Sequence, residues 1–225
     1  MSNVYGPPEP EDVFRRFPEI RRPAALEPYK HGLGPWGRGP VVRPADPADP
    51  AAGLQLVVGQ FALIGDRDTK PDNRPRMTNN ARSEELEAKR TFAGPWERGQ
   101  RCLIPAAWYD EPNYEADPKK CLWWRIRRRV APDASGADRI IAIAGLYNDW
   151  VDKGSGEVHP SYTMLTVNAD QHPLLRRMHK AEDEKRAIVP IPDERWHDWL
   201  YGPVLTARSM LVLPPEDWYA AAPRP

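Results

Sequence analysis

Proline limits this chain more than any other residue: it fills 27 of 225 positions, or 12%, against about 5% in an average protein. Each proline lacks a backbone donor and pushes the residue before it out of the helical region, which excludes a helical bundle and favours short strands joined by rigid loops. Residues 1–50 are dense in Pro, Gly and charge, and read as an N-terminal wrap around a core supplied by later segments. One helix is predicted there, over 11–17, with acids in its first turn and bases in its last. Residues 214–225 read as a proline-rich tail.

Between these ends, short β-rich runs alternate with turn signals. Residues 54–64, 102–106, 121–127, 139–147 and 161–167 are β-branched or aromatic and predict a mostly antiparallel sheet. Short helices are predicted over 83–90, where Ser83 can cap, and over 193–200, with a strand-like run at 210–213. Nothing repeats, and no shift in composition cuts the chain, so the expectation is a single α+β domain over 1–225.

Charge and hydropathy exclude several functions. Thirty-two basic residues balance 32 acidic ones, so any contact with an anionic polymer depends on a local basic surface. The mean hydropathy is −0.69 and no window approaches the ~18 apolar residues of a membrane span. The start of the chain lacks the basic and apolar regions of a secretory leader, which predicts the cytoplasm, and Cys102 and Cys121 read as reduced core thiols. There is no phosphate-cradling glycine loop, no Cys-x-x-Cys, no His-Glu-x-x-His and no Gly-x-Ser-x-Gly. His172 and His179 lie close in sequence without a third ligand, so neither a metal nor a cofactor is predicted.

Four stretches concentrate chemistry. Thr78-Asn-Asn-Ala-Arg-Ser-Glu84 places amides, a guanidinium and a carboxylate at a predicted helix entry; taken alone it is an ordinary capped start. Trp108-Tyr-Asp-Glu-Pro-Asn-Tyr114 follows a strand, and Glu111 flanked by aromatics is either a solvated turn carboxylate or a general acid with a raised pKa. Asn168-Ala-Asp-Gln-His-Pro-Leu-Leu-Arg-Arg-Met-His-Lys180 supplies two histidines and three bases suited to phosphates and proton transfer, or else a surface loop. Strand alternation puts Arg125, Arg127 and Arg129 on one face beside Trp123 and Trp124, either a track for single-stranded nucleic acid or the charged outer face of an ordinary strand.

In order, these stretches resemble the SRAP family, the SOS-response-associated peptidases. The resemblance rests on Asn79-Asn-Ala-Arg-Ser-Glu-Glu-Leu86, Arg98-Gly-Gln-Arg-Cys-Leu-Ile-Pro-Ala106, Tyr109-Asp-Glu-Pro-Asn-Tyr-Glu115, Ala142-Ile-Ala-Gly-Leu-Tyr147, and Thr163-Met-Leu-Thr-Val-Asn-Ala-Asp170 with His172 and Arg177-Met-His-Lys180. It spans about 57–191, and Met1-Ser-Asn-Val-Tyr5 matches the family's start less completely. It implies a strongly bent, mostly antiparallel sheet with a few short helices. It also implies recognition of abasic sites in single-stranded DNA through a covalent link made by a cysteine at position 2; a monomer is expected, because capture of one lesion needs one N-terminus. By the same resemblance Asn80 holds the lesion sugar, Arg82 a phosphate, and Glu111 acts as acid and base. Arg125, Arg127, Arg177 and Lys180 complete the expected DNA-binding set.

Three departures qualify what the resemblance implies. Ser2 stands where the family has cysteine, so a thiazolidine cannot form and binding or a reversible Schiff base remains. Leu175 stands where many members carry histidine; His172 and His179 flank it, and His179, next to Arg177-Met178 and Lys180, is assigned the role. Phe61-Ala62 replaces a Trp-Gly pair expected to stack on a neighbouring base. Two other readings follow: a noncovalent DNA-binding module working through the Arg125–Arg129 face, or a peptidase that removes its own Met1.

Overall fold

The computed structural model describes residues 4–224. Its strands and helices run in the order β1 (Val4–Gly6), α1 (Pro10–Arg16), β2 (Arg38–Pro44), β3 (Leu54–Phe61), β4 (Asn80–Arg82), α2 (Arg90–Glu97), β5 (Arg101–Ala106), β6 (Trp108–Asn113), β7 (Leu122–Arg128), β8 (Ile141–Val151), β9 (Val158–Asn168), β10 (Arg186–Ile188), α3 (Trp196–Tyr201), α4 (Val204–Ser209) and β11 (Tyr219–Pro223). The larger sheet has the order β10-β9-β3-β2-β5-β8, and it curls until β8 also meets β9, so that it forms a partial barrel. The smaller sheet has the order β1-β6-β7-β11. The fold is therefore the bent, mostly antiparallel α+β domain that the sequence and its family resemblance lead one to expect, with parallel strand pairing where β3 and β4 meet β9.

Strand β9 organises the region of interest. Along one edge it pairs first with β3 (Phe61 opposite Tyr162) and then with β4 (Asn80 opposite Met164). Along the other it pairs with β8 (Gly145 opposite Met164) and then with β10 (Ile188 opposite Thr166). The polar segments 80–82 and 186–188 are thus brought to the same end of one strand. Successive side chains of β9 point to opposite faces, and each face has its own core. Leu165 joins Val42, Leu103, Trp96 and Trp199 beneath the helices, whereas Met164 joins Tyr5, Phe61, Tyr109, Ile126 and Tyr219 between the sheets.

The structure differs from the sequence expectations in several places, among them Trp108–Asn113, expected to follow a strand, which itself forms β6 between β1 and β7. Residues 38–44, inside the proline-rich N-terminal stretch, form the buried strand β2 in the middle of the larger sheet. It pairs along its length with β3 and meets β5 only at Val42–Leu103, so Pro40 and Pro44 interrupt little of a ladder. Residues 83–90 hold a single 3₁₀ turn, Ser83–Glu85, and the α-helix comes later as α2 despite Gly94 and Pro95 within it. Burial of Phe92 and Trp96 outweighs that poor propensity. Residues 210–213 form no strand, because Met210 and Leu211 bury themselves by packing into the core rather than by pairing. The tail does pair instead, as β11 on the edge of β7. Cys102 is a buried core thiol as expected, while Cys121 is only half-buried, and both are free.

Candidate functional site

Neighbouring residues on β6 face opposite ways. Tyr109, Glu111 and Asn113 point toward the space between the sheets, and Trp108 and Asp110 point outward. Asp110 is 1% exposed and binds Arg125 bidentately, Nε to Oδ1 at 2.9 Å and Nη2 to Oδ2 at 3.0 Å, with the guanidinium 3.6 Å over the Trp108 ring. On the inner face Glu111 is 2% exposed, and its Oε2 lies 3.3 Å from Nε2 of His179. Burial pushes the Glu111 carboxyl up to about 8, with Asp110 adding in the same direction, and burial pulls the His179 imidazole down to about 4. Near neutral pH the pair is therefore a carboxylic acid facing a neutral imidazole, a water-poor proton donor beside an acceptor.

His179 reaches this position through an unusual backbone. Its φ is +64°, in the left-handed region that few residues with a side chain adopt. Its amide donates to Pro112 O at 2.6 Å, and both Met178 and His179 bridge to Asn113, so one extra residue is accommodated opposite β6. Asn113 Nδ2 donates to Arg177 O at 3.0 Å and holds the same loop from its side chain. His172, the alternative, lies elsewhere: its Nε2 is 2.9 Å from Pro214 O and its ring stands edge-on to Tyr219.

The remaining candidates surround the pair unequally. Asn80 lies on β4 opposite Met164 and is 8% exposed; Arg82, two residues on, places Nη1 2.9 Å from Glu184 Oε2. Glu184 also accepts from Arg186 at 2.9 Å, and Arg186 bonds the His179 ring through its main chain. The segment 184–186 thus links the β4 arginine to the dyad. Arg177 is paired with Glu115, at 2.9 and 2.8 Å, and lies over the Trp124 ring at 5.1 Å. Lys180 sits over Tyr114 at 5.8 Å. A cleft of about 210 Å³ opens between Tyr114, Glu115, Arg177, His179, Lys180 and Lys185.

Two expected contributors lie off this site. Arg125 is locked to Asp110 on the outer face of the smaller sheet, and Arg127 is exposed on that same outer face, away from Glu111. Phe61 is 0% exposed, stacked on Tyr162 and edge-on to Tyr5, so it is core rather than a platform. Ser2 lies outside the described residues; Val4 stands opposite Asp110, next to Glu111 in sequence. Sequence reasoning missed Glu115, Glu184 and Arg186, which look like any solvated charges, and nothing in the run 181–186 distinguishes the buried arginine from its neighbours. Among the described residues, no group of three or more His, Cys, Asp or Glu is placed to hold a metal, and no helix is long and apolar enough to cross a membrane.

The chain is similar to known proteins at several levels of identity. The Xenopus tropicalis abasic site processing protein HMCES is 28% identical over 172 residues, 71% of this chain and 49% of that protein. Its Gallus gallus counterpart is 24% identical over 225 residues, 93% of this chain and 65% of that protein. The chain thus spans about half to two thirds of the length of these curated relatives. Among solved structures, a Bordetella bronchiseptica protein superposes with a TM-score of 0.81 at 30% identity, covering 99% of both chains. A Bacteroides thetaiotaomicron protein shares the fold at 0.74 and 18% identity, over 97% of this chain and 89% of that one. The family described as SOS response associated peptidase matches residues 9–221, nearly the whole of the described chain. A likeness of that extent, over a fold that places Glu111 against His179 at the end of β9, makes this chain a member of the SRAP family.

Proposed function

We propose that this protein recognises abasic sites in single-stranded DNA and reacts reversibly with the exposed aldehyde through its terminal amine. The observation that carries the reading is the dry Glu111–His179 pair, 3.3 Å apart and holding one proton near neutral pH. An amine attacks the aldehyde carbon of the ring-opened sugar and forms a carbinolamine, whose hydroxyl must leave as water to give the imine. Glu111, protonated below about 8, supplies the proton to that leaving oxygen, and the carboxylate then takes a proton back when water returns. His179, neutral above about 4, accepts from the carboxylic acid and orients it. Asn80 holds the sugar, and Arg82, Arg177 and Lys180 meet the adjoining phosphates. Ser2 offers a hydroxyl where the family's thiolate would close a stable ring, so the adduct remains an imine open to hydrolysis.

The names of the HMCES relatives support the substrate. The test is to incubate the protein with a single-stranded oligonucleotide carrying one abasic site, with and without borohydride. A reduced adduct should form and should slow at least about 100-fold with Glu111→Gln. Ser2→Cys should give an adduct that survives heat without reduction. Failure of both the wild type and Ser2→Cys to form any adduct would overturn the proposal.

A further inference from the structure

Arg82 and Arg177 do not present bare charge. Arg82 is held by Glu184 at 2.9 Å, and Arg177 is gripped through both Nε and Nη2 by Glu115. A carboxylate with two oxygens occupies the same fork of N–H groups that a phosphate would take. These pairs differ from Arg125–Asp110 in one decisive respect. Their side chains are 41% and 37% exposed for Arg82–Glu184 and 41% and 47% for Arg177–Glu115, against 16% and 1% for Arg125–Asp110. A buried pair cannot be opened without stranding a desolvated charge, whereas an exposed one is nearly balanced against water and can exchange partners.

Resting on the DNA reading above, we infer that Glu184 and Glu115 are determinants of affinity at this site: each occupies its arginine until a phosphate of the strand displaces it. The displaced acids have somewhere to go. Glu184 keeps its 2.9 Å bond to Arg186, which is also held by Glu84, and Glu115 keeps the Asn113 amide at 3.2 Å. The consequence concerns salt. An arginine that arrives with its own carboxylate brings little net positive charge to the strand and releases few counterions, so grip on ordinary single-stranded DNA is weakened and its salt dependence is shallow. The penalty falls on every strand alike. An intact strand has only this grip, while a lesion also gains contacts to its sugar, so the two acids hold occupancy of undamaged DNA down. The zero net charge of the whole chain serves the same end, since no long-range attraction compensates.

The test measures equilibrium binding of two labelled single-stranded oligonucleotides over a series of salt concentrations. One is intact, and one carries a tetrahydrofuran abasic analogue that has no aldehyde and so cannot react. Glu184→Gln and Glu115→Gln should each tighten both strands by up to about fivefold at low salt. Each should steepen the slope of log K against log salt by about 0.7, the value for one further phosphate on a single strand. Adding Arg82→Gln to Glu184→Gln should abolish the gain, and Arg177→Gln should do the same for Glu115→Gln. Unchanged or weaker binding in both glutamine variants, with melting temperatures showing them folded, would overturn the inference while leaving the DNA reading intact. Should one variant fail to fold, the other decides, because the two pairs share no residue. If the wild type binds neither oligonucleotide, the DNA reading itself is lost, and this inference goes with it.

Discussion

Asp110 and Glu111 are adjacent on one strand and almost equally buried, 1% and 2% exposed, yet they meet opposite partners. Strand alternation sends Asp110 outward to a guanidinium that it binds with two hydrogen bonds, and sends Glu111 inward to an imidazole. A guanidinium keeps its charge under all ordinary conditions, so burial on that face yields an ion pair. An imidazole can give its charge up. On the inner face burial therefore neutralises both partners, lifting Glu111 to about 8 and lowering His179 to about 4. Burial alone thus does not decide whether a carboxyl serves structure or proton transfer; the partner's capacity to lose its proton does.

The sharpest way to break this comparison is to remove the outer carboxylate. Asp110→Asn leaves Arg125, only 16% exposed, without its bidentate partner, and should cost about 3 kcal/mol of stability in urea unfolding. Glu111→Gln, by contrast, replaces a group already neutral in the fold near pH 7 with a neutral isostere and removes the cost of protonating a carboxyl that is ionised in the unfolded chain, so it should cause no loss of stability there. Equal losses in the two variants would contradict the assignment of one ion pair and one neutral pair.

The second test uses pH. Glu111 titrates near its ordinary 4.5 when unfolded and at about 8 when folded, so the folded state holds the extra proton and stability falls as pH rises through that window. His179 titrates at an ordinary 6.5 unfolded and about 4 folded, so stability falls as pH drops through that window. The two slopes oppose each other between about 4.5 and 6.5 and cancel. Above pH 6.5 only Glu111 contributes, giving a fall of about 2 kcal/mol by pH 8. Melting curves across pH 5 to 8.5 should show that fall in the wild type and lack it in Glu111→Gln. A parallel decline in both proteins would remove Glu111 as its cause.

Why one carboxyl faced out and the other in was half legible in the sequence. Period-two alternation puts Arg125 and Arg127 on one face, and the structure agrees, but a strand's own pattern does not say which face the rest of the protein will cover. Covering is decided by residues far away, by Tyr5, Met164 and Tyr219 packing between the sheets. The mostly antiparallel sheet and the short helices could be read from proline density and β-branched runs, and the strong bend of the sheet followed from the family resemblance. The central placement of β2 and the pairing of β11 could not, because proline marks what a backbone cannot donate and says nothing about which strand lies beside it. Glu111 was legible as a candidate through its aromatic neighbours. Glu184 and Glu115 were not, since an exposed glutamate acquires meaning only when a particular arginine stands 3 Å away.

His179 gives the smallest and most discriminating test, because its backbone and its ring make separate contributions. A left-handed residue bearing a side chain carries strain on the order of 1 kcal/mol, which glycine relieves and asparagine tolerates better than most. Were the ring only packing material, His179→Gly and His179→Asn would differ from wild type merely by lost contacts. As the partner of Glu111 the ring does more: it accepts from the protonated carboxyl, and an asparagine amide in its place can donate to the ionised form instead. His179→Asn should therefore keep stability at pH 6 within about 1 kcal/mol of wild type while moving the Glu111 titration downward. The decline in stability with rising pH that Glu111 causes would then end at a lower pH, and borohydride trapping would lose its acid at a lower pH. His179→Gly, which restores backbone ease without any donor, should leave the upper limb of the trapping profile near pH 8 and lower only its height. Identical pH profiles for the two variants would mean that the ring positions nothing, and that the left-handed turn at 179 serves only to close the loop onto Asn113.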